Sequence, residues 1–209
     1  MNLNNRDLSK TEVWSNLLGG RDRGMLRRLM EQVAAHLIDI LGQPFEARGM
    51  RIKTEPINQL IYSAAEPEVE TVGIYLLSGD DLPGHALLVL SLEDALLLVD
   101  WMLEAEPGMT VELGELERSA LAETGNLILS SFLNEVAELI GRPLRLSPPV
   151  VIVDMLATVL EAAVMPVAAV ADELLIIETD FYQHDTAMTI RFWILPDELQ
   201  PILLTGSVE

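Results

Sequence analysis

The segments HLIDILGQP (36–44) and NEVAELIGRP (134–143) end alike, each as an apolar helical run closed by Gly-x-Pro. Glycine at the C-terminus of a helix, with proline just beyond it, is a stop signal because glycine adopts the left-handed conformation and proline cannot continue the helix. The two glycines, Gly42 and Gly141, lie 99 residues apart. This recurrence indicates that one structural unit occurs twice in the chain.

The elements that follow each stop occur in the same order. The first half continues with the strand RIKTEP (51–56), the apolar run INQLIYSA (57–64), two strands joined by a turn at 79–84, and an amphipathic helix. The second half continues with a strand, an apolar run, two strands joined by a turn at 182–185, and the start of a last helix at 196–204. Short turns between neighbouring strands imply antiparallel pairing.

From this order we predict an α+β fold with a pseudo-twofold internal duplication, its helices packed on an extended, largely antiparallel sheet. Residues 1–209 are expected to form a single domain, with one half at about 21–106 and the other at about 112–205. A chain of 209 residues, half of them hydrophobic, is long and apolar enough to bury a core, and it lacks the composition of a disordered protein.

The charge of the chain limits its partners. It has 33 Asp and Glu against 13 Lys and Arg, a net charge of −20, so it repels phosphate groups, and we expect neither nucleic acid nor a membrane as a partner. The charge is uneven, with a net +2 over residues 1–60 and −22 over residues 61–209. The acidic part is either a solvated surface or a field that steers a partner of opposite sign.

The absence of cysteine excludes disulfides, cysteine zinc sites and thiol nucleophiles. His36, His85 and His184 fall in different predicted elements without ligand spacing, so we expect no metal site. The polar start of the chain lacks the apolar region of a signal peptide, and no stretch reaches the roughly 18 uninterrupted apolar residues of a membrane span. These features predict a cytoplasmic protein.

Residues 115–140, ELERSALAETGNLILSSFLNEVAELI, show the strongest helical pattern in the chain. At about 100° per residue, six apolar or small residues gather on one side and predict its core face: Leu121, Gly125, Ile128, Phe132, Val136 and Leu139. Four polar residues, spaced by four, three and four positions, project from the opposite side: Ser119, Glu123, Asn126 and Ser130. A carboxylate and a carboxamide one turn apart on a rigid helix are suited to contact a partner's cation and to orient a water molecule.

These polar side chains have an ordinary alternative explanation, since Glu, Ser and Asn on the outer face of a helix are commonly no more than solvated residues. Asn126 and Gly125 argue against it, because within a helix asparagine costs about half a kcal/mol and glycine about 1 kcal/mol relative to alanine. Two unfavourable neighbours in a long helix require either close packing or a function.

At this helix the sequence resembles the CheC/CheX/FliY family of chemotaxis phosphatases. The family's active-site pattern is Asp or Ser, three residues, Glu, two residues, Asn, twenty-two residues, Pro. Here the four positions are met by Ser119, Glu123, Asn126 and Pro149. The flanks YLLSGDDLPGHALLVLSLEDALLLVDWMLEAEPG (75–108) and WILPDELQPIL (193–203) also resemble the family, so the resemblance runs from about residue 24 to the C-terminus.

The resemblance implies an aspartyl-phosphate phosphatase that acts on a CheY-type response regulator. In the family the asparagine orients the attacking water and the glutamate pairs with the regulator's lysine, which implies these roles for Asn126 and Glu123. Ser119 and Ser130 are then expected to contact the partner, and Pro149 is a structural position of the motif. The family implies no cofactor or metal on this chain, Mg²⁺ on the partner regulator, and a CheD-like deamidase as a candidate second partner.

The first half lacks the motif. With the 99-residue offset, the positions equivalent to Ser119, Glu123, Asn126 and Pro149 hold Gly20, Gly24, Arg27 and Met50. We therefore predict one active site per chain, in the second half. Arg23, Arg27 and Arg28 give the first helix a basic face, which either is solvated or pairs with an acidic surface.

Two other hypotheses remain open on the sequence. One is a non-catalytic binding or adaptor protein of the chemotaxis or flagellar switch system, which docks phosphorylated CheY or CheD. The other is an α+β domain of unrelated role, in which the four-position motif would be chance. An adaptor should tolerate Asn126→Ala, whereas a phosphatase should lose turnover and keep most of its binding.

Overall fold

The structure is a computed structural model that describes residues 23–57, 59, 68–78, 84–141, 143–168 and 173–196. The helices and strands within these ranges are, in chain order, α1 (Arg23–Leu41), β1 (Phe45–Pro56), β2 (Glu70–Ser78), β3 (Gly84–Ser91), α2 (Leu92–Met102), α3 (Glu115–Ile140), β4 (Val150–Met155), α4 (Leu156–Ala168), β5 (Glu173–Gln183) and β6 (Thr189–Pro196). Three predicted features lie outside the described residues: most of the apolar run that starts at Ile57, the turn after Ser78, and the last helix.

The strands form one six-stranded sheet in the order β1-β5-β6-β3-β2-β4, and every neighbouring pair is antiparallel. Exchanging β1 with β4, β2 with β5 and β3 with β6 reverses this order and leaves every neighbour relation unchanged. A pseudo-twofold axis therefore passes between β3 and β6, at the centre of the sheet. The predicted α+β fold with an internally duplicated antiparallel sheet is confirmed, while the single-domain assignment and the bounds of its halves stay a prediction.

Helices α1 and α3 are equivalent in register as well as in position. They pack against each other and against the larger of two hydrophobic cores. Positions 99 residues apart are buried in both helices: Leu29 and Ile128, Met30 and Leu129, Val33 and Phe132, Ala34 and Leu133, and Leu37 and Val136. Each helix stops at its predicted glycine, with φ of +65° at Gly42 and +68° at Gly141, a conformation in which a side chain would be strained.

The two faces of the sheet bury different cores, because alternate side chains of a strand point to opposite sides. Leu88 of β3 and Phe192 of β6 lie in the larger core, with α1, α2 and α3. Leu87 and Trp193, their neighbours along the same strands, lie in the smaller core with α4. Phe132 of α3 packs edge-on against Phe192, with ring centroids 5.5 Å apart, and this contact ties α3 to the centre of the sheet.

Strand β1 is longer than its sequence predicts. It begins at Phe45 rather than at Arg51, and its register shifts at a bulge between Arg48 and Arg51, where Gly49 has φ +60°. β1 lies at the edge of the sheet, and its apolar alternation toward the larger core, Phe45 and Ala47 and then Met50 and Ile52, changes phase at the bulge. The sequence pattern therefore shows only part of it.

Strand β5 extends into the segment predicted as a turn at residues 182–185. It continues to Gln183, and the turn begins at residue 184. The Gln183 side chain is buried, and its carbonyl oxygen accepts hydrogen bonds from the backbone N–H and the hydroxyl of Thr186, both at 2.8 Å. Gln183 thus ends the strand, and its own side chain closes the turn that follows.

A charged cluster lies on the face of the sheet opposite α3. The buried Glu178 of β5 is 3.2 Å from Arg51, 3.5 Å from Lys53 and 3.5 Å from Arg191. Burial by itself raises the pKa of Glu178, but the hydrogen bond from Arg51 and the charges of Lys53, Arg51 and Arg191 outweigh it and hold this pKa below its ordinary value. The cluster joins three strands, β1, β5 and β6, by their charges.

Candidate active site on helix α3

Helix α3 is a rigid support because one side of it is fully packed. Five of the six predicted core-face residues are buried, and the side chain of the sixth, Leu139, lies outside the described part. Thr124 on this side is also buried, and its hydroxyl donates to the Ala120 carbonyl at 2.9 Å, so no polar group of Thr124 is left unpaired in the core.

The four polar residues of the motif stripe lie along the other side of α3. Ser119 and Glu123 are exposed, and Asn126 and Ser130 are half-buried. Asn126 is therefore less exposed than the sequence predicts, since it stands beside the packed part of the helix. The Ser119 hydroxyl donates to the Glu115 carbonyl one turn earlier, at 2.9 Å, so this side chain lies back along its own helix.

Within the described ranges, the Glu123 carboxylate and the Asn126 carboxamide make no hydrogen bond or ion pair with another residue. Both groups are one turn apart on a helix that the sheet holds in place. Their hydrogen-bonding capacity is thus available to a partner, a carboxylate as acceptor and a carboxamide as both donor and acceptor.

Gly125 explains half of the unfavourable Gly-Asn pair in the middle of α3. A Cβ at this position would overlap the Cγ2 methyl of Ile74 and stand 3.3 Å from the Ile74 Cβ. Ile74 is fully buried on β2, so glycine is needed for helix and strand to approach this closely. Close packing accounts for Gly125, whereas no hydrogen bond or ion pair within the described ranges accounts for Asn126.

Pro149 is half-buried and directly precedes β4. The segment that leads to it is held at the end of β2, where the Ser147 N–H donates to the Leu77 carbonyl at 2.8 Å and the Leu77 N–H donates to the Ser147 hydroxyl at 2.9 Å. In the first half, the equivalents of Asn126 and Pro149, Arg27 and Met50, line one cavity of about 330 Å³. The pseudo-twofold symmetry therefore predicts that Asn126 and Pro149 lie near each other at the equivalent place.

The first half offers different chemistry at the equivalent place. Arg27 is exposed, and its Nε lies 2.9 Å from the Glu31 carboxylate, four residues along the same helix. Arg28 is also exposed, so the predicted basic face is present at these two positions; the side chain of Arg23 lies outside the description. At the position equivalent to Asn126, the first half therefore has a cation, and this cation is paired with a glutamate of its own helix.

Asp100 is a buried residue that sequence reasoning missed. Its carboxylate accepts hydrogen bonds from the Gly108 N–H at 2.6 Å and the Thr110 N–H at 2.8 Å, and it thereby fixes the segment that leads into α3. Burial alone raises the pKa of Asp100, but the hydrogen bonds from Thr110, Gly108 and Met109 outweigh it and keep this pKa below its ordinary value. One feature of the sequence could have identified it: Asp100 directly follows Val99 and falls on the side of α2 that is buried.

The described part of the chain contains no group of three or more His, Asp and Glu side chains placed to hold a metal ion. Among the same residues, no helix is long and apolar enough to cross a membrane.

The chain is similar in sequence and in fold to proteins of the CheC type. No family model matches the chain. Among curated proteins, it is 24% identical over 169 residues to the CheY-P phosphatase CheC of Bacillus subtilis. The matched region covers 78% of this chain and 80% of CheC.

Solved structures share the fold. FliY of Thermotoga maritima superposes with a TM-score of 0.67 at 19% identity, over 83% of this chain and 88% of FliY. A chain of the CheX–CheY–BeF3–Mg²⁺ complex of Borrelia burgdorferi superposes with a TM-score of 0.50 at 17% identity, over 83% of this chain and 98% of that chain. These likenesses confirm the resemblance to the CheC/CheX/FliY family that the motif predicts.

Proposed function

We propose that this chain is a phosphatase that removes the phosphoryl group from the aspartyl phosphate of a CheY-type response regulator. The observation that carries the proposal is the pair of Glu123 and Asn126, one turn apart on the outward side of a helix packed against the sheet. The similarity to a CheY-P phosphatase over most of both chains supports it. The structural likeness to a chain from a CheX–CheY complex supports a CheY-type protein as the partner.

The proposed reaction needs little covalent chemistry from this chain. A water oxygen forms a new bond to phosphorus, the bond between phosphorus and the regulator's aspartate oxygen breaks, and the products are the aspartate carboxylate and inorganic phosphate. The carboxamide of Asn126 accepts a hydrogen bond from this water and holds it in line with the bond that breaks. Mg²⁺ belongs to the regulator in this proposal and neutralises charge on the phosphoryl group.

Glu123 has a binding role in the proposal. Its exposed carboxylate pairs with a lysine or arginine of the regulator beside the phosphorylated aspartate, which fixes the position of Asn126 relative to phosphorus. Ser119 and Ser130 extend the contact along the same side of α3. Pro149 supports the stripe from the segment before β4 and takes no part in the chemistry.

The experiment measures phosphate release from a phosphorylated, Mg²⁺-loaded CheY-type regulator of the same genome. Asn126→Ala should lower kcat by about 100-fold or more with little change in KM, because it removes a group that acts on the transition state. Glu123→Ala should mainly raise KM. Asn134→Ala is the matched control, since Asn134 is an exposed asparagine of α3 one turn beyond Ser130 and two turns beyond Asn126, and it should behave as wild type.

The adaptor hypothesis predicts a different outcome of the same experiment. It is favoured by the first half, where Gly24 and Arg27 stand at the positions equivalent to Glu123 and Asn126 and Arg27 is paired with Glu31. A wild-type chain that binds the phosphorylated regulator without speeding phosphate release, and an Asn126→Ala variant that binds equally well, would establish an adaptor and refute the phosphatase.

A further inference from the structure

The segment between α2 and α3 exposes a cluster of large apolar side chains. Val111 is 81% exposed, Met109 68% and Leu116 62%, the three highest values among the large hydrophobic residues that the structure describes. All three fall within eight consecutive residues, and they are here called the Met109 patch. Scattered exposed apolar residues are ordinary, but a contiguous group is typical of an interaction surface.

Backbone hydrogen bonds and the packing of Leu113 against the larger core hold this segment in place. Asp100 accepts from the N–H groups of Gly108 and Thr110, and the Met109 N–H donates to the Glu106 carbonyl at 3.2 Å. Thr110 is half-buried, whereas its neighbours on both sides are exposed. The backbone is therefore fixed in a conformation that directs the side chains of Met109 and Val111 outward. A segment that only connected the two halves would not need this conformation.

The patch is continuous with the proposed active site. Leu116 precedes Glu123 by seven residues, which is two turns or about 10 Å along α3, so both side chains lie on the same side of the helix. A protein that docks on Glu123 and Asn126 would reach Leu116 with the adjoining part of its surface.

The surroundings of the patch define the chemistry of its partner. Residues 103–118 contain one cation, Arg118, whose Nε donates to the Leu113 carbonyl at 3.1 Å, against five glutamates: Glu104, Glu106, Glu112, Glu115 and Glu117. An apolar patch with an acidic rim is complementary to an apolar surface rimmed by lysine or arginine.

We infer that the Met109 patch is the second contact for the response regulator, and that it binds an apolar surface with a basic rim next to the phosphorylated aspartate. The inference rests on the proposed phosphatase function and deepens it. The patch would increase the affinity for the regulator and orient it, and Asn126 would increase the rate of phosphate release.

The test compares the double variant Val111→Ser/Leu116→Ser with wild type. The matched control is Met165→Ser, because Met165 is 60% exposed on α4, over the opposite face of the sheet. Binding is measured by titration with a beryllofluoride-activated, Mg²⁺-loaded regulator, and turnover by phosphate release. We expect the double variant to raise Kd and KM at least about tenfold with kcat within about twofold of wild type, and the control to leave all three unchanged.

Each outcome separates this inference from the function it rests on. A double variant with wild-type Kd and KM overturns the inference and leaves the phosphatase intact. A wild-type chain that neither binds nor dephosphorylates any regulator of the genome overturns both. A double variant that changes the oligomeric state, measured by sedimentation, shows that a second copy covers the patch and also overturns it. Unchanged circular dichroism and unfolding midpoints, expected for exposed positions, confirm that the double variant is folded.

Discussion

Substituting alanine for Gly125 should separate the stability of the fold from the placement of the site. The added Cβ would lie closer than 3.0 Å to the Cγ2 methyl of Ile74, where ordinary contact begins at 3.4 Å. Ile74 is fully buried on β2, which is hydrogen-bonded to β3 on one side and to β4 on the other, so the strand cannot move away. Helix α3 must therefore rise from the sheet by several tenths of an ångström.

The loss of stability in Gly125→Ala should be small and the loss of rate large. Overpacking a core costs about 1–3 kcal/mol, and replacing glycine by alanine within a helix returns about 1 kcal/mol, so we expect a net loss of about 1 kcal/mol. A displacement of 1 Å can lower a rate about 100-fold, so a shift of several tenths of an ångström at Asn126 should lower kcat on the order of tenfold. Urea unfolding followed by circular dichroism and the phosphate-release assay measure the two effects.

Gly73→Ala is the control for this prediction. A Cβ on Gly73 would overlap the Cγ1 methyl of Val159, so it produces a clash of the same kind on the opposite face of the sheet, under α4. We expect a comparable loss of stability and a phosphate-release rate close to wild type. The reasoning is refuted if both glycine variants lower kcat equally, or if Gly125→Ala keeps the wild-type rate.

Two further predictions concern the charged cluster and the first half. Glu178→Gln should lower the free energy of unfolding by about 2 kcal/mol at pH 7, because three cations lose their shared carboxylate. The pKa of Glu178 is lower in the folded than in the unfolded chain, so its contribution is complete above the unfolded value of about 4.3 and is lost as the pH falls through the folded value. Urea unfolding of both proteins from pH 7 down to pH 3 should show the difference shrinking; a constant difference would contradict it. Arg27→Ala should leave phosphate release unchanged, since helix α1 lacks the Glu–Asn pair of α3, and a drop in kcat would place the first half in the reaction.

The parts of the fold that repeat could be predicted from the sequence. The offset between Gly42 and Gly141 predicts that α1 and α3 bury equivalent positions, because helix stops and apolar periodicity are local signals. The short, nearly continuous apolar runs likewise predict β3 and β6, which are buried on both faces at the centre of the sheet.

The parts that depend on distant partners could not be predicted. The charges of β1 look like those of a solvated segment until Arg51 meets Glu178, 127 residues away, across a strand pair. Asp100 looks like a charge that interrupts an apolar run, and only the folded chain shows the backbone N–H groups that it accepts from. The half-buried state of Asn126 also depends on neighbours outside its own helix.

The order of strands in the sheet also constrains how this chain folds and how it can change. β1 of the first half pairs with β5 of the second, and β4 of the second half pairs with β2 of the first. The first strand of each half therefore pairs with a strand of the other half. During synthesis β1 cannot pair until β5, which lies more than a hundred residues later in the chain, has been made. Such non-local pairing slows folding. The first half lacks the four-position motif but is still required, because its removal would leave β5 without its neighbour β1. Substitution can erase the chemistry of one half, but deletion of that half would dismantle the sheet that positions the other.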